Sequence, residues 1–156
     1  MSPEESLQLA FQELKRADHS IAVSLKYTRT VDVIKSIIER LINTIGFGLD
    51  SLVAHAKSQK KAAESSELPR VKFEQVTTLY SSDRFITDFC DFYLVLRKID
   101  KAKFDRTQEY RRHVTMTAHM DNKEKVEITI DIISDYFERT KEFLNYVSKL
   151  MHGPSE

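Results

Sequence analysis

The chain has 156 residues, a length that suits one domain, spanning 1–156, with a real core. Hydrophobic residues make up 41% and charged residues 31%, with 3 Gly, 3 Pro and no Trp; this is a globular composition with too few chain breakers for a many-stranded sandwich or barrel. Lys plus Arg and Asp plus Glu each number 24, and there is 1 Cys, which argues against holding nucleic acid or anionic membrane by bulk charge, against an intramolecular disulfide framework and against a cysteine-rich zinc site, while leaving room for a local basic patch.

Ser2-Pro3-Glu4-Glu5 has the chemistry of a helix start: a capping hydroxyl, a proline at the first helical position and carboxylates at the positive end of the helix dipole. Leu7, Phe11, Leu14, Ile21 and Leu25 follow at helical spacing, with Asp18 interrupting the row. A second stripe, Ile34, Ile38, Leu41, Ile45, Leu49 and Leu52, lies roughly 150° around the axis from the first. One straight helix cannot bury both faces against a single partner. The phase therefore predicts a break at 27–31, where Thr28, Thr30 and Val31 are β-branched, with Thr30 capping a second helix and the two helices forming an antiparallel hairpin. Gly46 and Gly48 inside the second stripe read as a close helix crossing or a mild kink.

Residues 58–70 (SQKKAAESSELPR) are polar and read as a surface loop. Residues 71–80 suit a short helix after Pro69, although Val71 and Phe73 also suit a strand. Ser81-Ser82-Asp83 then caps a third long helix bearing Phe85, Phe89, Phe92, Leu96 and Ile99, beside which Cys90 reads as a small buried residue. A fourth helix is expected over 104–119, with weaker periodicity and more polar residues. Asp121-Asn122-Lys123-Glu124 resembles another capping box, and the last helix carries Val126, Ile130, Ile133, Phe137, Leu144 and Val147 before ending at His152-Gly153-Pro154. The expected fold is all-α: an up-and-down antiparallel bundle of four long helices plus one or two short ones. No apolar run reaches membrane length and no basic-then-apolar leader opens the chain, so a cytoplasmic protein without membrane contact is expected.

The chemistry concentrates in residues 101–119 (KAKFDRTQEYRRHVTMTAH). Lys101, Lys103, Arg106, Arg111 and Arg112 outweigh Asp105 and Glu109 there, and two of the 5 histidines join them. On a helix, residues seven apart lie on nearly one face, which pairs Arg112 with His119 and, in an alternative register, Arg106 with His113. Histidine exchanges protons near neutral pH, and a guanidinium grips a phosphate with two parallel donors, so such a pair suits phosphodiester chemistry. RNA supplies its own nucleophile in the 2′-OH, so the pair calls for no metal and no cofactor. The bland alternative is a solvated helix face, with Arg106 paired to an acidic neighbour and His113 packed beside Tyr110 and Val114. His19, His55 and His152 have no convergent partners in the sequence, and neither a Glu-x-x-His pair nor a His-Glu-x-x-His motif occurs.

Arg112-HVTMTA-His119, placed before the acidic turn and final amphipathic segment MDNKEKVEITIDIISDYFERTKEFLNYV, resembles the HEPN superfamily of small helical bundles. Many of its members carry Arg, four to six residues and His just before the last long helix, and the six residues here sit at the upper end of that range. This chain departs from the family in lacking the Asn that often follows the Arg; His113 stands there instead. The resemblance implies a homodimer whose motif helices meet at a cleft, and a metal-independent endoribonuclease, often a toxin paired with an antitoxin or a defence effector. It implies that Arg112 steadies the scissile phosphate, that His119 moves a proton or orients the 2′-OH, and that Arg111, His113 and Lys103 support RNA contact. Many members are binding modules without activity. The competing reading is a non-catalytic helical adaptor for another protein, motivated by Val31, Val33, Ile42, Val53, Val95 and Tyr146, which widen the apolar faces. A small-molecule or metal-binding bundle is the third.

Overall fold

The computed structural model describes residues 1–59 and 69–153. Most of the predicted 58–70 loop, and Pro154, lie outside the described residues.

Helix α1 (Pro3–His19) starts as its first residues dictate, with Ser2 Oγ accepting from the Glu5 amide at 3.1 Å. It buries Leu7, Ala10, Leu14 and Ala17 and runs through a π-helical turn, Ser20–Ser24, into the short α2 (Leu25–Tyr27). The predicted break falls at Thr28–Thr30, and Thr30 Oγ1 accepts from the Val33 amide at 3.3 Å to open α3 (Val31–Ser58). Helix α3 is the centre of the molecule. It contacts α1 and three later helices, α4 (Pro69–Leu79), α5 (Arg84–Lys101) and α6 (Ile130–His152). Its Ile34, Ile38, Leu41, Ile45, Leu49 and Leu52 stripe is wholly removed from solvent, as the periodicity requires.

The residues after Pro69 take the helical option. Asp83 caps α5, Oδ1 accepting from the Ile86 amide at 3.1 Å, and Tyr146 Oη on α6 donates to Asp83 Oδ2, which ties the two helices together. Phe89 of α5 stacks on Phe143 of α6, rings parallel at 4.2 Å. Gly48 permits α3 to approach this stack: a Cβ there would lie 2.7 Å from Phe143 Cε2. Cys90 is fully buried, and burial, followed by the charge of Asp91, pushes its thiol up to about 12.

Residues 104–119 do not form the expected helix. A three-stranded antiparallel sheet, order β1-β2-β3, stands in its place, built from β1 (Lys103–Thr107), β2 (Thr115–His119) and β3 (Lys125–Ile128). Thr107 pairs with Thr115, and His119 pairs with both Lys103 and Lys125. The fold is therefore mainly α with a small sheet, not an all-α up-and-down bundle of four long helices. The physical reason is period two: Val114, Met116 and Ala118 are buried while Thr115, Thr117 and His119 between them are half-buried. β-Branched Thr107, Thr115, Thr117, Val126 and Ile128 suit that pleat. Asp121–Glu124 is a hairpin loop, not a helix start: the Met120 amide donates to Glu124 O at 2.9 Å, and Lys123 is left-handed at φ 66. Val126 accordingly lies on β3, and α6 begins at Ile130, where Thr129 Oγ1 accepts from the Ile132 amide at 3.2 Å. The helix ends at His152, before Gly153 at φ 77.

The wide apolar faces are mostly core. Val31 and Val53 are fully buried, and Val33, Ile42 and Tyr146 pack partly buried against the core, while Val95 is 42% exposed. Among the described residues, no helix is long and apolar enough to cross a membrane.

Candidate nucleic-acid interface

The β1–β2 connection, residues 108–114, folds back onto the junction between α2 and α3. Gln108 (φ 56) and Tyr110 (φ 65) both adopt left-handed backbone without being glycine, a conformation that costs about 1–3 kcal/mol at each position. Docking holds them there. The Tyr110 amide donates to Arg29 O at 2.6 Å. Glu109 Oε2 accepts from the Val31 amide at 3.0 Å, satisfying one of the free donors that begin α3. Arg106 Nη1 lies 2.8 Å from Asp32 Oδ1 and 3.9 Å from Glu109 Oε2. Beneath the loop, Val114 is completely buried.

The surface that results is basic and aromatic. Tyr27 and Tyr110 are each 78% exposed. Lys26, Arg111, Arg112 and His113 are exposed around them, and Lys26 Nζ lies 5.8 Å from the centre of the Tyr27 ring. Arg29 is half-buried, and its Nε is buried without a hydrogen-bond partner. Among the described residues none of these cations forms an ion pair, whereas the acids at the junction, Asp32 and Glu109, are engaged by Arg106. A neutral chain thus carries a local positive surface at one end of its first helical hairpin.

The structure separates the residues that helical spacing would have brought together. Arg112 sits in the loop and His119 at the far end of β2, and a five-residue strand extends roughly 13 Å at the usual rise. His119 Nε2 instead meets Asp105 Oδ2 at 2.7 Å across the outer face of the sheet. It lines a cleft of about 490 Å³ with Val95, Lys98 and Lys101, a cleft whose lining does not include Arg112. The alternative pair fares similarly: Arg106 is paired with Asp32, and it lies opposite Met116 in the sheet while His113 stays in the loop. Lys103, opposite His119, is at the end of the sheet remote from the loop. Arg111, Arg112 and His113 are brought together.

Sequence reasoning missed Lys26, Tyr27, Arg29 and Tyr110 as functional candidates. The only local signal is aromatic residues interleaved with cations, in KYTR at 26–29 and EYRRH at 109–113. The two runs meet solely because the hairpin loop docks on the helix junction. In comparison with known proteins, no family model matches the chain, no curated protein matches it and no solved structure matches it.

Proposed function

We propose that this protein binds single-stranded RNA through the tip formed by residues 26–29 and 109–113, acting as a binding module and not as a nuclease. The observation that carries this reading is Tyr110, a bulky residue kept in left-handed backbone with its ring in water. The loop's docking on Arg29 and Val31 fixes that backbone, and it leaves the ring in water beside Lys26, Arg111, Arg112 and His113, where a planar ligand can stack on it. Unpaired bases stack on such rings whatever their sequence, and neighbouring cations take the phosphates. The buried Nε of Arg29 lacks a protein acceptor, and a phosphate oxygen supplies one. Cleavage is left out of the reading because Arg112 and His119 sit at separate places on the surface.

The test is fluorescence anisotropy with a labelled mixed-sequence single-stranded RNA at fixed low salt. Loss of one stacked base is worth about 1–3 kcal/mol, so Tyr110→Ala is expected to weaken binding about 5- to 150-fold at unchanged thermal stability. Equal affinities for wild type and Tyr110→Ala, or no binding by wild type, overturn the reading; the second outcome leaves the tip to a protein partner. Incubation of the same RNA with wild-type protein is expected to leave it intact. Cleavage that disappears in both Arg112→Ala and His119→Ala would instead restore the nuclease reading.

A further inference from the structure

A second concentration of positive charge lies further along the α1–α3 hairpin. Gln12, Lys15, Arg16, His19 and Ser20 from one side and Arg40 of α3 from the other line an open cleft of about 530 Å³. That volume falls within the range of roughly 300–1,000 Å³ typical of small-ligand sites. The helical period explains the first side, since positions 12, 15, 16 and 19 share one face of α1. Glu13, only 7% exposed and not itself part of the lining, joins the two arginines. Its Oε1 accepts from Arg16 Nη1 at 2.6 Å, and both its oxygens lie 3.4 Å from Arg40 Nη1. One buried carboxylate thus holds two guanidiniums side by side while neutralising one of them. Lys15 and His19 have no side-chain partner among the described residues. Three permanent cations, Lys15, Arg16 and Arg40, against one carboxylate leave a surplus of positive charge before His19 is counted.

The local backbone is unusual as well. Ser20, on the cleft wall, is the first residue of the π-helical turn. Such turns are rare and are frequently found at functional sites. Here the wider turn carries the chain on to Leu25, which is 1% exposed, while Ser20 stays at the cleft.

We propose that this cleft binds an oligophosphate group, the di- or triphosphate of a nucleotide or of an RNA 5′ end. The arrangement suits that class better than a single phosphate because its donors extend beyond the two guanidiniums gathered at Glu13: Lys15 and His19 stand one helical turn apart along α1, about 6 Å. A chain of linked phosphates spans from the paired arginines to that row, which a single phosphate does not. Arg16 and Arg40, preset by Glu13, present planar donor forks to phosphate oxygens, while Lys15 and His19 add donors at the rim. The proposal does not depend on RNA binding at the tip.

The experiment is calorimetric titration of the full chain, at low salt, with inorganic triphosphate, ATP, AMP and a 5′-triphosphate RNA beside its 5′-hydroxyl counterpart. Triphosphate and ATP are expected to bind more tightly than AMP. The Lys15→Ala/His19→Ala double variant breaks no contact among the described residues and is expected to lower their affinity about tenfold or more without changing the melting temperature. Arg111→Ala/Arg112→Ala at the tip is expected to leave triphosphate binding unchanged. ATP exceeding bare triphosphate identifies a free nucleotide as the source, and preference for 5′-triphosphate over 5′-hydroxyl RNA identifies a transcript end. Absence of triphosphate binding, AMP binding as tight as ATP, an unaltered Lys15→Ala/His19→Ala variant, or loss of triphosphate binding in the tip variant each overturns the proposal.

Discussion

Replacing Gly48 by alanine inserts one methyl group where α3 crosses α6. Its Cβ would lie 2.7 Å from Phe143 Cε2 and 3.1 Å from Leu144 Cδ2, well inside the optimum of about 3.5–4.0 Å for carbon atoms. Phe143 is fully buried and held parallel to Phe89 at 4.2 Å, so its ring cannot retreat without disturbing that stack. Overpacking a well-filled core costs about 1–3 kcal/mol, and so close an approach belongs at the upper end. Alanine recovers about 1 kcal/mol of helix propensity. The net loss of about 1–2 kcal/mol corresponds to a fall in melting temperature of about 2–8 °C for a chain of this size. Gly46, two positions earlier in the same helix, is the control. Its Cβ would meet only Tyr93 Oη at an ordinary 3.7 Å, so Gly46→Ala keeps the propensity gain and is expected to melt about 2–4 °C higher than wild type. Thermal unfolding followed by circular dichroism checks both. A Gly48→Ala variant as stable as wild type or more so would refute the tight crossing of α3 and α6.

Two further expectations concern titrating groups, the partly buried Tyr80 and the buried Cys90. Tyr80 donates its hydroxyl to Leu52 O at 2.8 Å, and burial, with the charge of Asp83 second, raises its pKa from 10.0 to about 12. The folded protein holds this proton more tightly than the unfolded chain, so the contribution is complete below pH 10 and is lost as pH rises toward 12. Tyr80→Phe is expected to flatten that part of the stability profile, and superimposable urea-midpoint curves for the two proteins between those pH values would contradict it. Cys90, with its thiol pushed up to about 12, is expected to resist iodoacetamide in the folded protein and to react once urea unfolds it; labelling of the native state at the unfolded rate would show the residue to be accessible.

The helix starts were the most legible part of the chain. Ser2, Thr30 and Asp83 each accept from an amide three residues ahead, an interaction decided within a single turn and therefore written in consecutive residues. The break at 28–30 was legible for a related reason, since two apolar stripes on different sides of one axis cannot share a partner. The segment 103–128 was misread because Asp and Asn serve hairpin loops and helix caps with the same side-chain chemistry. In Asp121–Glu124 the loop form won, and the true cap, Thr129, stands several residues later. The alternation of Val114, Met116 and Ala118 with two threonines was the available strand signal, three apolar positions long and easily taken for an irregular helix.

The candidate site shows the same division. Arg111, Arg112 and His113 were visible as a local basic run. Tyr27 and Arg29 join them only through long-range pairing, of which the Glu109–Val31 hydrogen bond, 78 positions apart in the chain, is the measure. Arg106 was drawn away by Asp32, and His119 by Asp105, partners that no helical spacing includes.

By itself, the sequence determined the three early helix caps, the central apolar stripe of α3, the reversal of the first hairpin and the absence of any bulk charge, because each is set by neighbours within a few residues or by composition. Tertiary structure decided that residues 103–128 form a sheet, that the loop at 108–114 presses against the start of α3, and which cations remain free of an acid. Those outcomes depend on strand pairing and on hydrogen bonds between distant segments, whose energies exist only after the chain has closed on itself.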